Sequence, residues 1–485
     1  MPDAAERAGG ITSLPHPGIR LRRFFMERGK IMEISELLEK QRACYASGKT
    51  RSVPYRAAAL RRLYDTVKAQ TPELEAAMLA DFGKPAAETY MTEIGLVLAE
   101  LRDQLRHVRR WSRPRRVPTP LMHFPASSYI SPEPYGVVLI MAPWNYPIQL
   151  CLAPLAGAIA AGNCAIVKPS AYAPHASRAI RAVIEAAFPA EHAAVIEGGR
   201  AENQALLHER FDYIFFTGSS AVGRQVMQAA AEHLTPVSLE LGGKSPVIVD
   251  DTADIRVAAR RVAFGKVTNA GQTCVAPDYA FVREPVLKQF LAEYRRALAE
   301  FFPNGDLSQM PVIVNERHFA RLRGLLEGQP VVIGGGCDEQ TRRIEPTVIC
   351  PADPESAVMQ EEIFGPILPI IPYTHIRECI SYINAHEKPL ALYLFTRDCA
   401  IRQRVLATCS FGGGCTNDTL VHLSNPHLPF GGVGASGMGS YHGKKSFDTF
   451  THERSLLKKS PSVDIRLRYQ PYTEGKARAY RFFLR

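Results

Sequence analysis

Cys274, in Asn269-Ala270-Gly271-Gln272-Thr273-Cys274-Val275-Ala276-Pro277, and Glu240, in Leu239-Glu240-Leu241-Gly242-Gly243-Lys244, give one chain a soft nucleophile and a water-activating carboxylate. A thiolate attacks a carbonyl carbon, and a carboxylate then delivers water to the resulting thioester. Neither residue is informative alone, so their meaning depends on the motifs around them.

Four such motifs stand out. Glu133-Pro134-Tyr135-Gly136 leads through an apolar run into Met141-Ala142-Pro143-Trp144-Asn145-Tyr146-Pro147. There Asn145 is either a turn former or an amide aimed at a developing oxyanion. Lys168-Pro169-Ser170 closes the next apolar run, and Lys168 is either a solvated lysine or a ribose or phosphate contact at a strand end. Thr217-Gly218-Ser219-Ser220-Ala221-Val222-Gly223 opens a helix where glycines admit close backbone approach and the helix terminus favours an anion, without a full GxGxxG. Glu361-Glu362-Ile363-Phe364-Gly365-Pro366 is either a helix end and turn, or an acid for a ribose hydroxyl beside a ring for a flat heterocycle.

The elements that must hold these groups follow from the hydrophobic spacing. Ile34 to Trp111 is helical, prolines 114, 118 and 120 interrupt it, and Leu121 to Ile130 is expected to be extended. From Gly136 short apolar runs alternate with amphipathic ones. Strands are expected at Gly136–Met141, Cys164–Val167, Ala193–Ile196 and Tyr213–Phe216, with helices at Pro147–Ala161 and Pro174–Ala187. After Glu240 a second alternating unit begins, with strands at Val247–Val249, Tyr279–Val282, Val331–Ile333 and Leu390–Phe395, and helices at Ile255–Thr268 and Glu284–Phe302. Strands linked by crossover helices imply parallel sheets covered on both faces. The fold class is therefore α/β with two α/β domains joined near residue 240.

At 485 residues the chain is long enough for two or three domains. Its charge of +10 is dispersed over small clusters and accompanied by no nucleic-acid motif, so solvated surface or attraction of an anionic cofactor explains it. No apolar run approaches the roughly 20 residues of a membrane span. Ten cysteines without CxxC spacing indicate neither a zinc site nor a disulfide framework, and a reducing, cytoplasmic location is expected. Residues 1–31 carry no signal-peptide core and are expected to form a disordered extension.

In this order and spacing, the motifs resemble the aldehyde dehydrogenase superfamily from about residue 33 to 485. The tract Leu428-Pro429-Phe430-Gly431-Gly432-Val433-Gly434-Ala435-Ser436-Gly437-Met438-Gly439-Ser440-Tyr441-His442-Gly443-Lys444-Lys445-Ser446-Phe447 is similar to the class 3 branch, as are Thr416-Asn417-Asp418 and Arg468-Tyr469-Gln470-Pro471-Tyr472-Thr473. The resemblance implies Cys274 as nucleophile, Glu240 as general base, and Asn145 with the Cys274 backbone N–H as oxyanion donors. Ala142, Pro143, Trp144, Lys168, Ser170, Gly218, Ser219, Gly223, Leu241, Glu362 and Phe364 would hold NAD or NADP, with no metal. One position departs: many NAD-using relatives carry Glu after the Lys-Pro-Ser triplet, where this chain has Ala171, so use or tolerance of NADP is expected.

The implied architecture is a Rossmann-like cofactor domain (32–116 and 136–239), a catalytic domain (240–448), and an arm and tail (117–135 and 449–485) that pair two subunits into a homodimer. The implied reaction oxidises medium- or long-chain aliphatic or aromatic aldehydes to carboxylates. A CoA-acylating relative would use the same cysteine but needs no water activator, and a non-catalytic binding or structural protein would need none of these groups.

Overall fold

A computed structural model describes residues 24–27 and 30–483. Most of the segment expected to be a disordered extension lies outside the described residues; within them Phe24–Glu27 pairs antiparallel with Lys30–Glu33.

The first α/β unit is a six-stranded sheet in the order Gly437–Met438, Val237–Glu240, Tyr213–Thr217, Val137–Met141, Cys164–Lys168, Ala193–Val195. The last five run parallel. Their residues are almost continuously apolar because helices cover both faces. Helix Pro147–Ala161 is buried along its whole length between this sheet and the N-terminal helices. Pro147 at its start has no N–H to lose, and Gly162, left-handed at φ +103°, ends it.

The strand order reverses between Val137–Met141 and Tyr213–Thr217. At such a switch point the loops leaving the carboxyl ends diverge and open a crevice. Pairing brings Met141 beside Lys168 and Phe216, and Thr217 beside Glu240. All the motifs that follow these strands therefore emerge along one edge.

The second unit is a seven-stranded sheet in the order Val331–Ile333, Thr347–Ile349, Ile367–Tyr373, Tyr279–Arg283, Pro246–Val249, Ala391–Phe395, Gly413–Thr416. It is parallel except where Val331–Ile333 meets Thr347–Ile349. Cys274 immediately precedes strand Tyr279–Arg283, and Glu362 precedes strand Ile367–Tyr373. The amino edge of this sheet thus faces the carboxyl edge of the first.

A third sheet joins Thr451–Lys459, Ala126–Pro134 and Arg115–Val117. Two expectations shift, and one element is added. Residues 121–130 become extended only from Ala126, because Leu121–His123 forms a 3-10 turn. Gly437–Met438, assigned by sequence to the second domain, lies antiparallel on Val237–Glu240 and closes the edge of the first sheet. The tail beyond the arm contains a further helix, Glu474–Phe483.

Candidate active site

Two cavities meet at Cys274. One, about 690 Å³, runs along the switch-point crevice and is lined by Ala142, Pro143, Trp144, Asn145, Ser170, Gly218, Ser219, Glu240, Leu241, Glu362 and Phe364. The other, about 230 Å³, is walled chiefly by Met91, Leu96, Leu150, Phe264, Val421 and Phe430. Cys274 lines both.

The loop that presents Cys274 is held in an unusual conformation. Asn269, Ala270 and Gly271 lie consecutively in the left-handed region, with φ of +53°, +53° and +72°. For two non-glycine residues this stores strain that the surroundings must offset. A Cβ on Gly271 would come within 2.3 Å of the Gly365 carbonyl, so no other side chain fits there. Hydrogen bonds fix the rest. The Asn269 N–H donates to Glu88 Oε1 at 2.7 Å, Gln272 Nε2 donates to the Asn269 and Val312 carbonyls at 3.1 Å each, and the Val314 N–H donates to Gln272 Oε1 at 3.0 Å. Beyond the cysteine, the Tyr393 hydroxyl donates to the Val275 carbonyl at 2.6 Å.

Asn145 is buried beside this loop. One amide hydrogen of Nδ2 is spent on the Gln272 carbonyl at 3.0 Å, and the Asn145 carbonyl accepts from Asn269 Nδ2 at 2.9 Å. The first contact orients the side-chain amide, the second holds the Asn145 backbone, and the other N–H of Nδ2 is left available.

The electrostatics are those of a dry site. Glu240 is buried and neither carboxylate oxygen has a partner, so burial pushes its pKa well above the usual carboxylate range. Burial, then Glu362 and Glu240, push the Cys274 thiol up to about 12, against the pull of the backbone N–H groups of Cys274 and Val275. Glu362 is raised to about 8 by burial and by Asp278. Glu362 is therefore largely protonated near neutrality, and burial makes the Glu240 carboxylate a stronger base than an exposed one.

Residues that the motifs did not single out brace the Glu362 loop. Lys244 Nζ donates to Asp278 Oδ2 at 2.5 Å and to the Val358 and Glu361 carbonyls, while the Ile363 N–H donates to Asp278 Oδ1 at 2.9 Å. Arg321 reaches Glu361 and the Glu362 and Ile363 carbonyls. Phe364, at φ +52°, turns its ring edge to Trp144 at 5.4 Å. Lys244 ends the quoted Glu240 motif and Asp278 follows the Cys274 motif, but nothing in the sequence spacing pairs them.

The crevice suits a dinucleotide. Glu362 Oε1 is buried without a partner, as an acceptor reserved for a ribose hydroxyl would be. A Cβ on Gly242 would fall 2.4 Å from Glu362 Oε2, so glycine there keeps the carboxylate in place. Helix Ser220–Ala231, capped by Ser219, points its N-terminus at the crevice. Gly223 lies in the first turn of this helix against Leu241. Lys168 is set apart from the rest: its buried Nζ donates to the Pro169 and Gly198 carbonyls at 2.7 and 2.6 Å, and burial lowers its pKa to about 8. Ala171 is exposed on the turn just beyond.

Comparison with known proteins agrees with this geometry. The model of the aldehyde dehydrogenase family matches residues 26–456. The 4,4'-diaponeurosporen-aldehyde dehydrogenase of Staphylococcus aureus is 48% identical over 93% of this chain and 99% of its own. Aldehyde dehydrogenase family 3 member B1 of Rattus norvegicus is 45% identical over 91% and 95%, and the rat dimeric NADP-preferring aldehyde dehydrogenase is 43% identical over 88% and 95%. A substrate-bound structure of the Staphylococcus aureus enzyme AldH superposes with a TM-score of 0.91 at 48% identity, covering 94% of this chain and all of that one. The chain belongs to the aldehyde dehydrogenase family, with class 3 members among its relatives, and is an NAD(P)-dependent aldehyde dehydrogenase.

Proposed function

We propose that Cys274 is the nucleophile that takes an apolar aldehyde from the smaller cavity while a nicotinamide cofactor occupies the larger one. The observation that carries this reading is the position of one thiol at the junction of a small apolar cavity and the larger switch-point crevice. The thiolate adds to the carbonyl carbon, and the free N–H of Asn145, with the Cys274 backbone N–H, receives the oxyanion. One such donor is worth roughly 2.7–4 kcal/mol of barrier. Bound in the crevice, the nicotinamide supplies a hydride acceptor. Glu240 then takes a proton from the water that hydrolyses the thioester, and its lack of any fixed partner leaves it free to do so. A CoA-acylating enzyme has no use for such a base.

Ala142, Pro143, Trp144, Ser170, Gly218, Ser219, Gly223, Leu241, Glu362 and Phe364 would hold the cofactor, and Lys168 would reach it by releasing a carbonyl. Ala171 supports acceptance of NADP as well as NAD. The apolar walls support medium- or long-chain aliphatic or aromatic aldehydes. The arm supports a homodimer: Leu456 and Leu457 on its outer strand are 46% and 48% exposed, and a relative is named as dimeric. Among the described residues no helix is long and apolar enough to cross a membrane. Ten free thiols support a reducing, cytoplasmic setting.

Rapid mixing with aldehyde and cofactor tests the roles. Cys274→Ala abolishes both dehydrogenase and esterase activity. Glu240→Gln keeps a single-turnover burst of reduced cofactor while steady turnover collapses. A missing burst in Glu240→Gln places the glutamate earlier in the reaction than proposed here.

A further inference from the structure

We propose that Glu93, held by Lys84, is a positioning residue that clamps the Asn145 loop against the Cys274 loop. Lys84 Nζ lies 2.8 Å from Glu93 Oε1, and both side chains are fully buried. The other oxygen, Oε2, accepts the Ile148 N–H at 2.9 Å and the Gln149 N–H at 3.4 Å. These N–H groups belong to the first turn of helix Pro147–Ala161, which begins two residues after Asn145 and has no side-chain cap of its own. Glu93 therefore caps that helix from another segment and satisfies donors that would otherwise be orphaned.

Lys84 does a second thing. Its ammonium sits over the Tyr146 ring, 4.4 Å from the centroid. The Tyr146 hydroxyl bonds Thr273 Oγ1 at 2.5 Å. Thr273 precedes Cys274. The chain that leaves Asn145 is thus pinned at residues 146, 148 and 149, and the same contacts reach the residue next to the nucleophile. Glu88, on the same segment, holds the Asn269 N–H at the other end of the Cys274 loop.

The local backbone explains how one segment reaches both loops. Residues five apart on an α-helix point about 140° apart, so Glu88 and Glu93 would face different ways. Tyr90–Ile94 is instead a turn of π-helix. Its i→i+5 bonding brings the two carboxylates toward one face. Gly95 permits it, since a Cβ there would lie 2.8 Å from the Tyr90 carbonyl. A buried ion pair is a weak source of stability because desolvation offsets its attraction. The directions in which this pair's remaining contacts run are what it contributes.

This inference rests on Asn145 being an oxyanion donor, so the experiment separates the two ideas. Kinetics of hexanal oxidation and p-nitrophenyl acetate hydrolysis are measured for Glu93→Gln, Tyr146→Phe, Asn145→Ala and Glu93→Gln/Asn145→Ala. Iodoacetamide alkylation of Cys274, which develops no oxyanion, and NAD⁺ affinity serve as controls. Glu93→Gln is expected to lower kcat in both reactions at least tenfold, with KM, alkylation and cofactor affinity within twofold. In the Asn145→Ala background it adds less than twofold. Tyr146→Phe, which removes one hydroxyl, reproduces the pattern at about threefold and stands in if Glu93→Gln does not fold. Full activity in Asn145→Ala refutes the oxyanion reading itself. A crippled Asn145→Ala refutes the present inference alone if Glu93→Gln multiplies with it, if alkylation and cofactor affinity fall alongside kcat, or if the stand-in Tyr146→Phe is fully active.

Discussion

In the ligand-free enzyme, Cys274 should be a slow nucleophile whose reactivity climbs with pH far beyond the range of an ordinary thiol. Burial and the neighbouring Glu362 and Glu240 raise it from 9.0 to about 12, a displacement of about 3 units. That is roughly 4 kcal/mol against the thiolate with its acidic neighbours ionised, and a thiolate population at most roughly a thousandfold below that of a free cysteine at neutral pH, where the Glu362 repulsion is absent. The more basic thiolate is also more nucleophilic, by roughly twentyfold for a Brønsted slope of about 0.4–0.5. The net expectation is alkylation slower than that of a free cysteine at pH 7 by up to roughly fiftyfold. Glu362 adds a second feature. Its own pKa of about 8 means that its repulsion is absent below pH 8 and grows above it, so Glu362→Gln should react faster than the parent only on the alkaline side. The assay is iodoacetamide labelling from pH 6 to 10, quantified on the Cys274 peptide because Cys399 is exposed and labels independently. The rate should rise about tenfold per pH unit without a plateau. Oxidised cofactor, with its cationic ring, should accelerate labelling at fixed pH, and the reduced form should not. A plateau between pH 7 and 8.5 in the ligand-free enzyme would refute the reasoning.

Glu362 also makes a stability prediction. Its folded pKa lies above its ordinary 4.5, so the contribution of its neutral form is complete below pH 4.5 and lost as pH rises through about 8. Glu362→Gln should therefore gain thermal stability over the parent between pH 5 and 8, with a ceiling of about 5 kcal/mol; parallel melting curves across that range contradict it. For the cofactor, NADP⁺ should be used at a kcat/KM within roughly tenfold of NAD⁺, a gap of about 1.4 kcal/mol. Ala171→Glu should shift preference to NAD⁺ through the KM for NADP⁺, because a like charge at about 4 Å costs on the order of 4 kcal/mol at an effective dielectric near 20; a parent enzyme that rejects NADP⁺ a thousandfold has another group blocking the phosphate. Light scattering at micromolar concentration should give a dimer mass, and a monomer mass would dispose of the pairing arm.

The local sequence determined whatever depends on nearest neighbours. Helix Pro147–Ala161 is legible to the residue because Pro147 starts it and Gly162 ends it, and Pro174–Ala187 likewise begins at a proline. Strands such as Val137–Met141 and Cys164–Lys168 were equally plain, since a strand covered on both faces must be apolar throughout, whereas Val237–Glu240 and Thr347–Ile349 were not read from the sequence. Asn145 and Gly218, which close short motifs after such strands, could be picked out as candidates for the same reason, whereas the role of Glu240 came from the family resemblance. Tertiary structure alone decided what those residues face. The apolar cavity is assembled from Met91, Phe264, Val421 and Phe430, which lie far apart in the chain and carry no shared pattern. The antiparallel strand Gly437–Met438 crosses to the first sheet, although its sequence belongs to a glycine-rich loop. Lys84, Glu88 and Glu93 look like ordinary charges on a solvated helix. Lys84 and Glu93 are buried and Glu88 partly so because a π turn brings them to loops 55 to 181 residues away, and no local spacing records the cost of burying a charge or the partner that offsets it.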